Sequence, residues 1–163
     1  MTLLTADLHD RIGETVAYVA SEPLGRAAIR YFAEAVGDSN PLSNDLDAAR
    51  AAGYTDLVAP PTLVCETNQY ASLPMDEDGY AGHTWGFEVP GTRQIRGGNQ
   101  YRFHTPVVAT DVITATWTIS AIDERTSRTG ASMLIVRSSA RYTNQDGELL
   151  AENDETIIFQ EIA

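Results

Sequence analysis

The feature that most constrains this chain is a period-two alternation of apolar and polar residues running through its second half. Ile113, Ala115, Trp117, Ile119 and Ala121 fall on one face, with Thr114, Thr116, Thr118 and Ser120 on the other. Leu134, Val136, Ala140 and Tyr142 oppose Ile135, Arg137, Ser139 and Arg141, while Tyr101 with Phe103 and Ile157 with Phe159 continue the pattern at either end. Successive strand residues point to opposite sides, so such runs build a sheet with a single apolar face. Turn-forming residues separate them at 105–111, 126–130 and 144–147. The spacing predicts four long antiparallel strands in a meander.

The first half has a different period. Residues 15–20 (TVAYVA) read as a short strand, and the first few residues of the chain as loose. Ser21 can cap a helix in which Leu24, Ala28, Tyr31, Phe32, Ala35 and Val36 recur at helical spacing until Gly37. A polar loop follows, Asp38-Ser39-Asn40-Pro41-Leu42-Ser43-Asn44-Asp45. Asn44 or Asp45 can cap a short helix at 46–52, and Pro60-Pro61 opens a second long apolar helix over 61–70. Residues 73–82 (LPMDEDGYAG) are expected to form a mobile acidic loop. An apolar helix and a sheet with one apolar face bury each other when the sheet curls around the helix, which gives an α+β class. The edges of that sheet would remain unpaired, so a dimer joined edge to edge, with itself or with a related chain, is the expected remedy.

At 163 residues the chain is expected to form one domain over 1–163. A formal net charge of −12 argues against nucleic acid and against anionic membrane surfaces. All 11 basic residues are arginine, and Arg93, Arg96, Arg102, Arg125, Arg128, Arg137 and Arg141 lie in the sheet-like half. They suit either a phosphorylated ligand or solvated strand faces. The lone cysteine, Cys65, excludes an intramolecular disulfide and fits a buried thiol. No residue spacing matches a metal-ligand set, and His9, His83 and His104 read as loop or surface residues. With no leader-like segment or membrane-length apolar run, a cytoplasmic location is expected.

The order GDSNPL, a downstream acidic residue, an alanine-rich helix and then APPT resembles the MaoC-like hydratase and dehydratase family. The later stretch WGFEVPGTRQIRGGNQYRFHTPVVATD is similar to its N-terminal, fatty-acid-synthase-type dehydratase subgroup, and within it to subunits of hydratases acting on steroid side-chain CoA thioesters. The resemblance implies a hotdog fold, a long central helix wrapped by a curved antiparallel sheet. It also implies lipid metabolism and an acyl-CoA thioester substrate, with CoA as part of that substrate and no separate cofactor. Active members carry Asp-x-Asn-Pro-(aliphatic)-His-x-Asp, in which the first aspartate and the histidine manage the water. This chain supplies Asp38, Asn40, Pro41, Leu42 and Asp45, but has Ser43 at the histidine position.

Hydration of an enoyl thioester needs a base for water, an acid for the α-carbon and stabilisation of charge on the thioester oxygen. A serine hydroxyl is too weak an acid to stand in for imidazolium. Asp38 and Asn40 are therefore a degenerate catalytic pair, or they simply bond nearby backbone groups. The N–H groups of Thr62 and Leu63 are the first available at the start of the 61–70 helix. Arg93, Arg96, Gly97, Gly98 and Asn99 can meet a CoA moiety, or the glycines can mark a β-bulge. Three functions remain in view. The chain is a subunit of a heteromeric hydratase whose related hotdog partner carries the histidine; or a self-sufficient hydratase using Asp38, possible also as a homodimer; or a non-catalytic acyl-thioester binder.

Overall fold

In the computed structural model, which describes residues 2–65, 67–77 and 79–162, the alternating runs form one five-stranded antiparallel sheet. Its strands are β1 (Thr15–Val19), β2 (Thr92–Phe103), β3 (Thr114–Thr126), β4 (Ser132–Thr143) and β5 (Leu149–Glu161), in the order β1-β3-β4-β5-β2. Strands β3, β4 and β5 are the expected meander. Strand β2 departs from it: it pairs with β5, with Tyr101 opposite Asn153, and so lies at the far edge from β1. Alternation reports which face a side chain takes, not which neighbour its strand chooses.

Among the described residues four α-helices precede or flank the core: α1 (Ala6–His9), α2 (Arg26–Val36), α3 (Pro41–Asn44) and α4 (Leu46–Ala51). Helix α2 starts later than Ser21 suggests, with Gly25 at its N-cap, and ends as expected on Gly37 in the left-handed conformation, φ 71°. Asp45 caps α4 by accepting from the Asp47 and Ala48 amides. Leu3 and Leu4 are not loose, while Met1 lies outside the described residues. Leu3 is buried, and the Leu3 and Leu4 amides donate to the Glu124 carboxylate on β3, at 2.9 and 3.3 Å.

Residues 61–70 do not make one long helix. They form two short 3-10 turns, Pro61–Cys65 and Asn68–Tyr70. A local cause is visible: the Gln69 side-chain amide donates to the Val64 carbonyl at 3.0 Å, taking an acceptor that an α-helix would assign to the backbone. The segment nevertheless occupies the place of the expected rod. Leu63, Val64, Cys65 and Tyr70 pack in the core with Trp117, Ile119, Val136 and Tyr142 of the sheet, and Trp117 Nε1 donates to the Tyr70 hydroxyl at 2.8 Å. The fold is a hotdog in which this central element is broken. Among the described residues no helix is long and apolar enough to cross a membrane.

Candidate functional site

Residues 38–45 are built by successive caps. The Asp38 amide closes α2 on the Ala33 carbonyl at 2.8 Å. The Asp38 carboxylate accepts from the Asn40 amide at 2.9 Å, and the Asn40 side-chain oxygen accepts from Leu42 at 3.1 Å to cap α3. Each polar side chain thus bonds backbone two residues ahead, the ordinary work of Asp and Asn in turns. Ser43 is different. It is 2% exposed, and its hydroxyl donates to the Val58 carbonyl at 2.8 Å, while the Val58 amide donates back to the Leu42 carbonyl at 2.9 Å. This two-way link fastens α3 to the strand-like segment that leads into Pro60-Pro61.

Asp38, Asn40 and Ser43 line one side of a cleft of about 280 Å3, with Pro60, Pro61, Phe103 and His104 among its other residues. His104 follows directly on β2. Its backbone amide donates to Leu150 at 2.9 Å, and its Nε2 lies 3.0 Å from a Glu152 oxygen. No local motif marks this histidine as a neighbour of Asp38, because it is the pairing of β2 with β5 that brings it to the cleft. Leu63 is buried beside the cleft and its amide already donates to the Pro60 carbonyl at 3.0 Å, so it is not the open donor expected. Thr62 is exposed on the same turn.

The RQIRGGN stretch lies within β2, and the ladder to β5 slips between Arg96 and Gly98. The bulge leaves Arg96 and Asn99 on the same, core-side face, three positions apart. Arg93 is on the other face with Gln160, so the two arginines do not converge on one phosphate. Four of the seven guanidinium groups meet carboxylates, Arg96 with Glu155 at 3.3 Å on the core side, and Arg102 with Asp154 at 2.8 Å, Arg137 with Asp123 at 2.6 Å and Arg141 with Glu152 at 3.1 Å. For Arg102, Arg137 and Arg141 these ion pairs favour the solvated-face reading.

A second, larger cavity of about 500 Å3 opens between the 74–87 loop and the core faces of β2, β4 and β5. Its wall includes His83, which is not the surface residue expected. Its ring stacks on Trp117 at 4.4 Å between centroids and meets Trp85 edge to face at 4.6 Å, and its Nδ1 lies 3.0 Å from the Tyr18 hydroxyl. Burial pushes the imidazole down to about 4, so the ring is neutral near pH 7. Part of the acidic loop is ordered by Asp76, whose carboxylate accepts from the Tyr80 amide at 2.8 Å; Asp78 lies outside the described residues.

Comparison with known proteins places this geometry. The family described as FAS1-like, dehydratase domain region, matches residues 11–153. A UPF0336 protein of Parafrankia sp. (strain EAN1pec) is 34% identical over 145 residues, 88% of each chain. The C-terminally truncated HadBC (3R-hydroxyacyl-ACP dehydratase) complex of Mycobacterium tuberculosis is 29% identical, with a TM-score of 0.62 over 91% of this chain and 97% of that one. The ChsH1-ChsH2 complex of the same organism shares the fold at a TM-score of 0.72 and 18% identity, covering 97% and 94% of the two chains.

Proposed function

Because the chain belongs to the FAS1-like dehydratase family, we propose that it is one subunit of a heteromeric enoyl-CoA hydratase. In the reaction, hydroxide from water bonds to the β-carbon of a trans-2-enoyl thioester and a proton is delivered to the α-carbon, giving the 3-hydroxyacyl thioester. This chain supplies the frame and an acyl pocket, and a related hotdog subunit supplies the complete Asp/His pair. A steroid side chain is the finer form of the acyl group we assign.

The observation that carries the reading is Ser43. The position that would hold the proton-carrying imidazole holds a buried hydroxyl already committed to Val58. A serine in that bond fastens two segments and moves no proton near neutral pH. The HadBC relative is itself a two-subunit complex, which supports a partner of the same fold. The test is turnover of a trans-2-enoyl-CoA by the purified chain, alone and after co-expression with a histidine-bearing relative. Activity is expected only in the complex; rates of roughly 1–10³ per second from the chain alone would overturn the proposal.

A second reading has one observation of its own: His104 lines the same cleft as Asp38. In a self-sufficient hydratase these two would divide the proton transfers. Asp38→Ala decides between them, since it abolishes turnover by the isolated chain in the second reading and has no turnover to abolish in the first.

A further inference from the structure

Three isoleucines break the alternation on the side of the sheet away from the core. Ile135 on β4 stands directly across from Ile158 on β5, and Ile158 directly across from Ile95 on β2. Residues paired across a ladder share a face, so the three form one row over three adjacent strands. Met133, two positions before Ile135, lies beside that row. All four are half-buried, yet none belongs to the core cluster or packs against it. A single isoleucine on a solvent face needs no explanation. A contiguous row, on the face that an antiparallel sheet ordinarily keeps polar, marks a contact surface.

The charges beside the row narrow what can cover it. The next row runs Arg125, Met133, Gln160, Arg93 across β3, β4, β5 and β2. Neither arginine meets a carboxylate among the described residues: Arg93 donates to the Gln160 side chain at 2.8 Å, and Arg125 forms no ion pair. Glu124 and Glu161, at the same end of the sheet, fall on the core side by register and accept from the Leu3, Leu4 and Ser132 amides. Asp123, at the β3 end of the isoleucine row, is held by Arg137 at 2.6 Å. The apolar row is therefore flanked by two uncompensated cations, in a chain whose net charge is −12.

We infer that this face docks an amphipathic helix of another protein, its apolar side on Ile95, Ile158 and Ile135 and its carboxylates on Arg93 and Arg125. Strands sit about 4.8 Å apart and a helix rises about 5.4 Å per turn, so apolar residues one turn apart fall on successive isoleucines. The two arginine backbones are three strand spacings apart, about 14 Å, which is about nine residues of helix. A second copy of this chain would set one arginine-flanked face against another, and an anionic membrane would repel the chain as a whole. Methionine and arginine are residues that binding surfaces favour. The site uses the face of β2 and leaves its edge free, so the inference does not depend on the hydratase reading.

The test is fluorescence polarisation of the purified full chain with a short labelled peptide, held helical by a staple, with leucines one turn apart and glutamates about nine positions apart. A control peptide has glutamine in place of both glutamates. At 0.15 M salt, where repulsion from the net charge is screened beyond about 8 Å, the glutamate peptide is expected to bind about 2- to 30-fold tighter, the range for two exposed ion pairs. Arg93→Gln combined with Arg125→Gln should bring that ratio to about one. Ile158→Thr keeps a β-branched residue in the strand and should weaken both peptides. Binding of neither peptide, equal binding of the two, or unchanged binding by either variant would overturn the inference. If Ile158→Thr does not fold, the arginine variant, altered only at exposed side chains, decides alone. Sedimentation with phosphatidylglycerol vesicles should leave the chain in solution; pelleting lost in the arginine variant would assign the face to a lipid surface instead. Self-association lost in Ile158→Thr would assign it to a second copy.

Discussion

Ser43 sits where its hydroxyl closes the bond to Val58, with only 2% of its surface exposed. Ser43→Ala strands the Val58 carbonyl and should lower stability by about 1 kcal/mol, read as a shift in the urea midpoint at unchanged slope. Ser43→His restores the family's residue type but forces an imidazole into a site that is 2% exposed; about 1–3 kcal/mol of overpacking is expected and no hydratase activity in the isolated chain. A stable and active Ser43→His protein would mean that the serine replaced a functional histidine in an otherwise intact site. His83 governs a different property. Its ionisation in the fold lies at about 4, below the ordinary value of 6.5, so the unfolded chain binds the extra proton first as pH falls. The stability it contributes is complete above about pH 6.5 and is lost as pH drops toward 4, by about 2 kcal/mol once the solvent reaching its half-buried ring is allowed for. His83→Phe should flatten that part of the pH–stability curve; an unchanged curve would assign the acid sensitivity to other groups. Position 43 was legible in the sequence because its neighbours spell out the family frame, and a local frame exposes a local departure. The settings of His83 and His104 were not, since each depends on strands distant in the chain: Trp117 on β3 for one, Leu150 and Glu152 at β5 for the other.

Among elements, the broken central rod and the bulged edge strand show what periodicity conveys and what it omits. Helical spacing at 61–70 marked the right residues for burial, and Leu63, Val64, Cys65 and Tyr70 are buried. It could not show that the Gln69 amide would take the Val64 carbonyl and stop a continuous helix. In β2 the paired glycines were readable as a bulge, and the ladder slips there. What the sequence did not reveal is why the first must be glycine. A β-carbon on Gly97 would stand 2.9 Å from Thr156 Cγ2 and 3.1 Å from the Thr156 carbonyl oxygen on β5. Gly97→Ala must therefore push β2 away from β5, with a cost of about 1–3 kcal/mol typical of overpacking. Hydrogen exchange should show it as lost protection in β2 and the adjoining half of β5, with β3 and β4 little changed. Uniform loss across the sheet, or none, would contradict a local steric role.

For the whole molecule, β2 is the consequential element, because it is a 12-residue strand with no neighbour beyond it among the described residues. Such an edge invites pairing with another chain. Self-pairing about a two-fold axis between Gly97 and Gly98 would set Arg93 of each copy opposite Arg102 of the other, and like charges directly across a ladder repel. It would also bring together two chains that each carry a net charge of −12. Both effects disfavour a homodimer relative to a partner with carboxylates along its edge, in keeping with the heteromeric assembly proposed above. They can be separated. Salt screens both, over about 10 Å at 0.1 M, so self-association measured by light scattering at micromolar protein should rise with ionic strength. Arg93→Glu makes the net charge more negative but places a carboxylate opposite Arg102 twice per dimer; at roughly 0.2–1 kcal/mol for each cross-strand pair, self-association should tighten by about 2- to 30-fold. If that substitution weakens self-association, repulsion between whole molecules outweighs the strand contact, and β2 is not the edge through which copies of this chain meet.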